Sequence, residues 1–249
     1  SKKNLEKAEM IAASADVPVN SVTRYDINIA TGITQTIQEY GITNMIIGLH
    51  HKSNIIDSFF GTLTDSLLKG TYREIMIARC LTPINTIRKI VVCVPPKAEY
   101  EAGFSKWLEH LLRMTRIIGC EIRFYTNDVS ANYIKELALK NDSTTRLAFA
   151  TDCEWNNFEK IKSQISSDFL VVIISSRRGS LSYSTYFERM PVHINKYFSN
   201  NNLIVVYPEQ HSSSDQMISF SDPLRHNESQ HYDNATEWIT DLFKGEKDE

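Results

Sequence analysis

Three clusters in this chain carry residue types that could do chemistry. The first is a glycine-spaced stretch: Gly48, then Gly61 followed at once by Thr62. Glycines and a hydroxyl at the mouth of a helix suit an anion. The first N–H groups of a helix have no internal partner, and its dipole is positive there. The second cluster is His50-His51, in the loop between those glycines. Adjacent imidazoles on a loop point in different directions, with no carboxylate or cysteine beside them at helical spacing, so metal ligation is not expected. For His51, donation to a phosphate oxygen and plain solvation both stay open. The third cluster is Ser175-Ser176-Arg177-Arg178. Paired guanidinium groups could grip an anion, although a solvated face is the commoner use. The serines lack a Gly-x-Ser-x-Gly setting and any identifiable triad partner, which leaves a hydrolase reading with no support.

The elements that must position these residues follow from periodicity. Met45-Ile46-Ile47 reads as a short buried strand ending at Gly48, and a polar loop follows from Leu49 to Asp57. Leu63, Leu67 and Leu68 recur at helical spacing up to Gly70, and Ile75-Met76-Ile77-Ala78 reads as a second buried strand. Upstream, a helix is expected over Leu5 to Ala15. A strand is expected from Val17-Pro18-Val19 to about Tyr25, with Pro18 fitting an edge. A further helix is capped by Asn28, carries Ile29, Ile33 and Ile37, and ends at Tyr40-Gly41. Downstream, Cys80 to Asn85 is a linker. Strands then fall at Ile87–Val94, Cys120–Tyr125, Arg146–Ala150, Asp168–Ser175 and Leu203–Tyr207, alternating with helices around Trp107, Ile134, Ile161 and Val192–Phe198. Trp107 and Phe104 sit at core spacing. Unbroken Val/Ile strands alternating with helices are the pattern of a parallel sheet covered on both faces.

Bulk properties narrow the class. The 249 residues are 42% hydrophobic and 23% charged, ordinary values for a folded chain with one large or two small domains. A net charge of −3 gives no footprint for nucleic acid. The longest wholly apolar run, Phe169 to Ile174, is far below the ~20 residues a spanning helix needs. Four scattered cysteines (Cys80, Cys93, Cys120 and Cys153) form no Cys-x2-Cys pair, so zinc is not expected. The first three lie in or beside strand-like runs and read as buried thiols of a reducing cytoplasm. The polar stretch from His211 to Tyr232 reads as a tether. Asn234, Glu237 and the apolar stripe of Trp238, Ile239, Leu242 and Phe243 mark a terminal helix.

Gly48, His51, Gly61 and Thr62 together resemble the phosphate loop of the universal stress protein family, Gly-x2-Gly-x9-Gly-Ser/Thr, with His51 standing where the family has glycine. The region after Ser176 repeats the spacing in altered form, with Gly179 at the middle place and Arg189 at the third. Pro95 stands where the family usually has an adenine-side aspartate. The resemblance implies an α/β fold of two flavodoxin-like, adenine-nucleotide-hydrolase-like parallel sheets, the first lacking its N-terminal strands. The expected divisions are 1–85, a truncated unit; 86–210, a complete but degenerate one; and 211–249, a polar tail. In this family the last strands of two units commonly pair antiparallel, which places Ile75–Arg79 against Leu203–Tyr207.

Cys93-Val94-Pro95-Pro96 and Leu203 to Gln210 are similar to the cytoplasmic C-terminal region of bacterial sodium(potassium)/proton antiporters. That likeness implies a non-catalytic regulatory module at the cytoplasmic face of the inner membrane. A transport domain is expected upstream in the parent chain, with homodimerisation and no nucleic-acid partner. ATP, ADP or AMP would be its ligand, held by Gly48, His51, Gly61 and Thr62. A free-standing tandem stress protein binding ATP, and an interaction scaffold without ligand, are the alternatives.

Overall fold

The computed structural model describes residues 2–48, 63–140 and 145–211. Helices α1 (Lys2–Ser14) and α2 (Ile29–Glu39) precede strand β1 (Asn44–Gly48), and α3 (Thr64–Gly70) leads into β2 (Glu74–Arg79). After a connector come β3 (Lys89–Cys93), α4 (Phe104–Ile118), β4 (Glu121–Tyr125) and α5 (Asp128–Lys140). The described chain is completed by β5 (Leu147–Ala150), α6 (Phe158–Lys162), β6 (Phe169–Ile174), α7 (Met190–Phe198) and β7 (Asn202–Tyr207).

These strands make one seven-stranded sheet in the order β1-β2-β7-β6-β3-β4-β5. Neighbours are parallel throughout, except that β2 and β7 run antiparallel. The two expected sheets are therefore two parallel blocks, β1–β2 and β3–β7, fused edge to edge. The seam has the expected register: Ile75 lies opposite Tyr207 and Arg79 opposite Leu203.

Strand alternation divides the core into two layers. Val91, Cys93, Val171 and Ile173 point to one face, where Leu67 of α3, Phe158 of α6 and Phe198 of α7 cover them. Ile90, Val92, Leu170 and Val172 point to the other, under Trp107, Leu108 and Leu111 of α4 and Ile134 of α5. Helices on both faces are what unbroken apolar strands require. Helix α4 ends at Gly119, whose φ of +75° is the left-handed conformation that glycine adopts without penalty. Helix α2 begins where expected: the Asn28 side chain accepts from the Ala30 N–H at 2.8 Å. Asn28→Ala is expected to cost about 1 kcal/mol, read as a lower denaturation midpoint with unchanged slope.

Several expectations need correction. Residues 17–25 form no strand. Instead this segment lies along α2, where Arg24 bonds Gln35 at 2.8 Å and Glu39 at 2.6 Å. Apolar alternation supplies strand propensity, but a strand also needs a neighbouring ladder, and among the described residues none flanks this one. Of the thiols read as buried, Cys93 is, Cys120 is half-buried and Cys80 is exposed, because it follows the last residue of β2 into the connector. Ile29 is exposed, so the apolar stripe of α2 rests on Ala30, Ile33 and Ile37. Helix α6 stops at Lys162, short of Ile165. The terminal helix expected near Trp238 lies outside the described residues. No described helix is long and apolar enough to cross a membrane.

Candidate functional site

In an open α/β sheet, ligands enter at the carboxyl ends of the strands, where the strand order reverses. In the larger block that point lies between β3 and β6, which pair with each other and carry β4 and β7 on their far sides. The chain leaving β3 turns at Pro95, Pro96 and Lys97 into a 3-10 turn, Ala98–Tyr100. This turn delivers two buried carboxylates, Glu99 and Glu101, to the crevice. Glu99 accepts from the Ser130 hydroxyl at 2.6 Å. Glu101 Oε1 accepts from both the N–H and the hydroxyl of Ser182 at 2.9 Å, and Ser182 Oγ lies 2.9 Å from Ser176 Oγ. Glu101 Oε2 accepts from Gln210 Nε2 at 3.1 Å. Both carboxylates are thus committed to hydrogen bonds within the protein, while Glu101 and Ser176 also line open cavities at this end of the sheet. Acidic side chains in place of backbone donors repel phosphate. Ser176 is a link in this network, with no imidazole beside it.

The seam between the blocks is the second concentration of polar groups. After β7 the chain crosses the start of α4 so closely that a Cβ on Gly103 would stand 2.5 Å from the Glu209 nitrogen. Only glycine lets the two backbones approach this far. Here Glu209 takes Arg73 at 3.1 Å on one oxygen and Lys106 at 2.7 Å on the other, and the Gln210 N–H donates to the Tyr72 carbonyl at 2.9 Å. One turn along α4, His110 Nδ1 meets Glu74 Oε1 at 2.9 Å. At the connector, Asn202 Oδ1 accepts from the N–H groups of Leu81 and Thr82 at 2.6 and 3.0 Å.

Two buried arginines clasp the blocks reciprocally. Arg177, after β6, donates to the Leu68 and Thr71 carbonyls at the end of α3 and to the Arg73 carbonyl just before β2, all in the other block. Arg79, in β2, donates to the carbonyl of Phe198, which ends α7, and to that of Asn201, in the turn before β7. The last carbonyls of a helix lack partners within it, and the negative end of its dipole favours a cation. Burial draws the Arg177 guanidinium down to about 10 and also lowers Arg79. Both remain charged at neutral pH.

The expected nucleotide residues fare unevenly. Gly48 ends β1 and is exposed, with nothing within 4 Å of where its Cβ would stand. His51, Gly61 and Thr62 lie outside the described residues, as does His50. Among the described residues no group of three or more His, Cys, Asp or Glu could hold a metal. Arg177-Arg178, read as a solvated face or an anion clamp, divides: Arg177 is buried in the seam, while Arg178 is exposed and pairs with Glu188 at 3.3 Å. Sequence reading missed Glu99, Glu101 and Glu74. Their only signal was acidity against a strand end: two carboxylates just past Pro95-Pro96, and one immediately before Ile75.

No family model and no curated protein matches the sequence. Among solved structures, a universal stress protein from Archaeoglobus fulgidus DSM 4304 superposes with a TM-score of 0.55 at 8% identity, over 85% of this chain and 76% of that one. The fold is that of the universal stress proteins. The cytoplasmic domain of a prokaryotic cation chloride cotransporter shares this universal-stress-protein fold, with a TM-score of 0.54 at 9% identity, over 86% of this chain and 83% of that one.

Proposed function

We propose that the chain is a non-catalytic regulatory module of a membrane cation transporter, built from two related stress-protein units that meet at the β2–β7 seam. The observation that carries this reading is the pair of engaged carboxylates just past β3. Where an enzyme or nucleotide carrier of this fold would open to its ligand, Glu99 and Glu101 are committed to Ser130 and Ser182 instead. The larger unit then serves as a rigid partner for the smaller. The cytoplasmic domain of a cation chloride cotransporter among the structural neighbours supports the transporter setting, on fold alone. In this reading the module lies at the cytoplasmic face of the inner membrane, works on a sodium(potassium)/proton antiporter, and pairs as a homodimer.

The smaller unit is the nucleotide sensor in this proposal, through Gly48, His51, Gly61 and Thr62, with ATP, ADP or AMP as ligand. A ligand biases transport only through different affinities for two arrangements of the module. Calorimetric titration of the full chain with each nucleotide is expected to give binding heat and a thermal shift. Gly48→Val should weaken that binding about tenfold or more, by blocking close backbone approach. The folded state should tolerate it, since a side chain there meets open space. Absence of heat and of thermal shift with all three nucleotides at about millimolar concentration, near the upper end of useful small-ligand affinities, overturns the sensing role. That result favours the second reading, a scaffold without ligand, to which the engaged Glu99 and Glu101 also point.

A further inference from the structure

The β2–β7 seam carries a carboxylate whose position the regulatory reading does not use. Glu74 opens β2 on the sheet face covered by α4, and its side chain is 0% exposed. One oxygen meets His110 Nδ1 at 2.9 Å; the other, Oε2, is buried with no hydrogen-bond partner among the described residues. A buried charged oxygen without a partner is costly. The remaining charged groups around it are few. On α4, Lys106 reaches Glu209 and the Thr43 carbonyl; from the segment after β7, Glu209 is shared between Lys106 and Arg73. The cations near Glu74, other than His110, are therefore already engaged. His110 keeps a side-chain exposure of 34%, so solvent protons reach the pair.

We propose that the Glu74–His110 pair is a proton-dependent latch between the two strand blocks, closed while the pair holds a proton and loosened when that proton leaves. With one proton the pair is either a neutral acid facing an imidazole or a carboxylate facing an imidazolium. In both forms the hydrogen bond is made without an uncompensated buried charge. With the proton gone, the Nδ1–H tautomer of His110 still donates to Glu74, but a net negative charge stays on a carboxylate with one orphaned oxygen.

The electrostatics agree in sign. Burial raises the Glu74 carboxyl above its ordinary value, and the attraction of His110 and Lys106 only partly opposes this. A group raised in the folded state binds its proton more tightly there than in the unfolded chain. Its contribution is complete below the ordinary carboxyl value of about 4.3 and is lost as pH rises through the raised one. The inference is independent of any nucleotide or membrane attachment.

Hydrogen exchange of the full chain tests it, with amide rates corrected for intrinsic pH dependence. Between about pH 4.5 and about pH 8.5, protection of Ile75–Arg79 and Leu203–Tyr207 is expected to fall relative to Ile90–Cys93, the direction set by the raised Glu74 carboxyl. Glu74→Gln keeps the acceptor for His110 and removes the charge, so its seam protection should stay flat across the range. His110→Gln removes the pairing cation and should move the step to higher pH. An unchanged step in Glu74→Gln overturns the proposal. If that variant fails to fold, an unmoved step in His110→Gln does so. A fall shared equally by seam and central strands overturns it as well.

Discussion

Replacing Arg177 with alanine is expected to lower the unfolding free energy by about 3 kcal/mol, among the largest effects of any single substitution in this chain. The side chain donates to three carbonyls at the end of α3 and in the turn after it, two of them at 2.7 Å, and is itself buried. Deleting it leaves those carbonyls, at and just past the negative end of α3, without their charged donor. A bond to a charged donor contributes roughly 1.5–3 kcal/mol, and the three do not add fully. The guanidinium also carries its own desolvation cost, visible in the fall to about 10. Arg177→Lys should recover about half the loss, because a single ammonium cannot reproduce the planar fork. Denaturant titration followed by circular dichroism measures both. A loss below about 1 kcal/mol for the alanine variant would mean that water already solvates the α3 carbonyls.

Trp107→Ala should cost about 4 kcal/mol, the usual range for removing a fully buried large aromatic. Trp107 is 0% exposed, packs edge to face on Phe104 with ring centroids 5.3 Å apart, and anchors α4 to the sheet. Its Nε1–H is buried without a hydrogen-bond partner among the described residues. Trp107→Phe is therefore expected to cost only about 1 kcal/mol: it leaves a small void but removes an unsatisfied donor. The contrast between the two variants, read from thermal unfolding, separates volume from polarity. Equal losses would show that the indole nitrogen finds water in solution.

The fold was legible wherever burial is two-sided. Val91, Val92, Val171 and Val172 lie in runs that only a covered parallel sheet accommodates, and Gly119 and Asn28 mark helix ends by their own chemistry. The antiparallel pairing of Ile75–Arg79 with Leu203–Tyr207 came from the family resemblance, since nothing local records it. The seam chemistry was not legible. Arg177 and Arg178 are the same residue type side by side, and the carbonyls that bury one of them belong to a helix more than 100 positions earlier. Glu74 looks like an ordinary polar strand end until α4 is laid over it. The segment at Val17 to Tyr25 shows the reverse failure. Its alternation is real, but the ladder that would make it a strand is not supplied, and Arg24 ties it to α2 instead.

The place of β7 in the sheet has a consequence for how the chain is made. It is the last described strand in sequence, yet it pairs with β2, among the first. During synthesis the β1–β2 hairpin-less pair emerges early and must wait, one edge bare, while more than 120 residues follow. Arg79 waits as well, because Phe198 and Asn201 have not yet appeared, and α3 waits for Arg177. Closure of contacts so distant in sequence is slow. Ribosome-bound chains ending before Leu203 should consequently hold the β1–β2 block in a protease-sensitive state, and release of β7 should fix both blocks together.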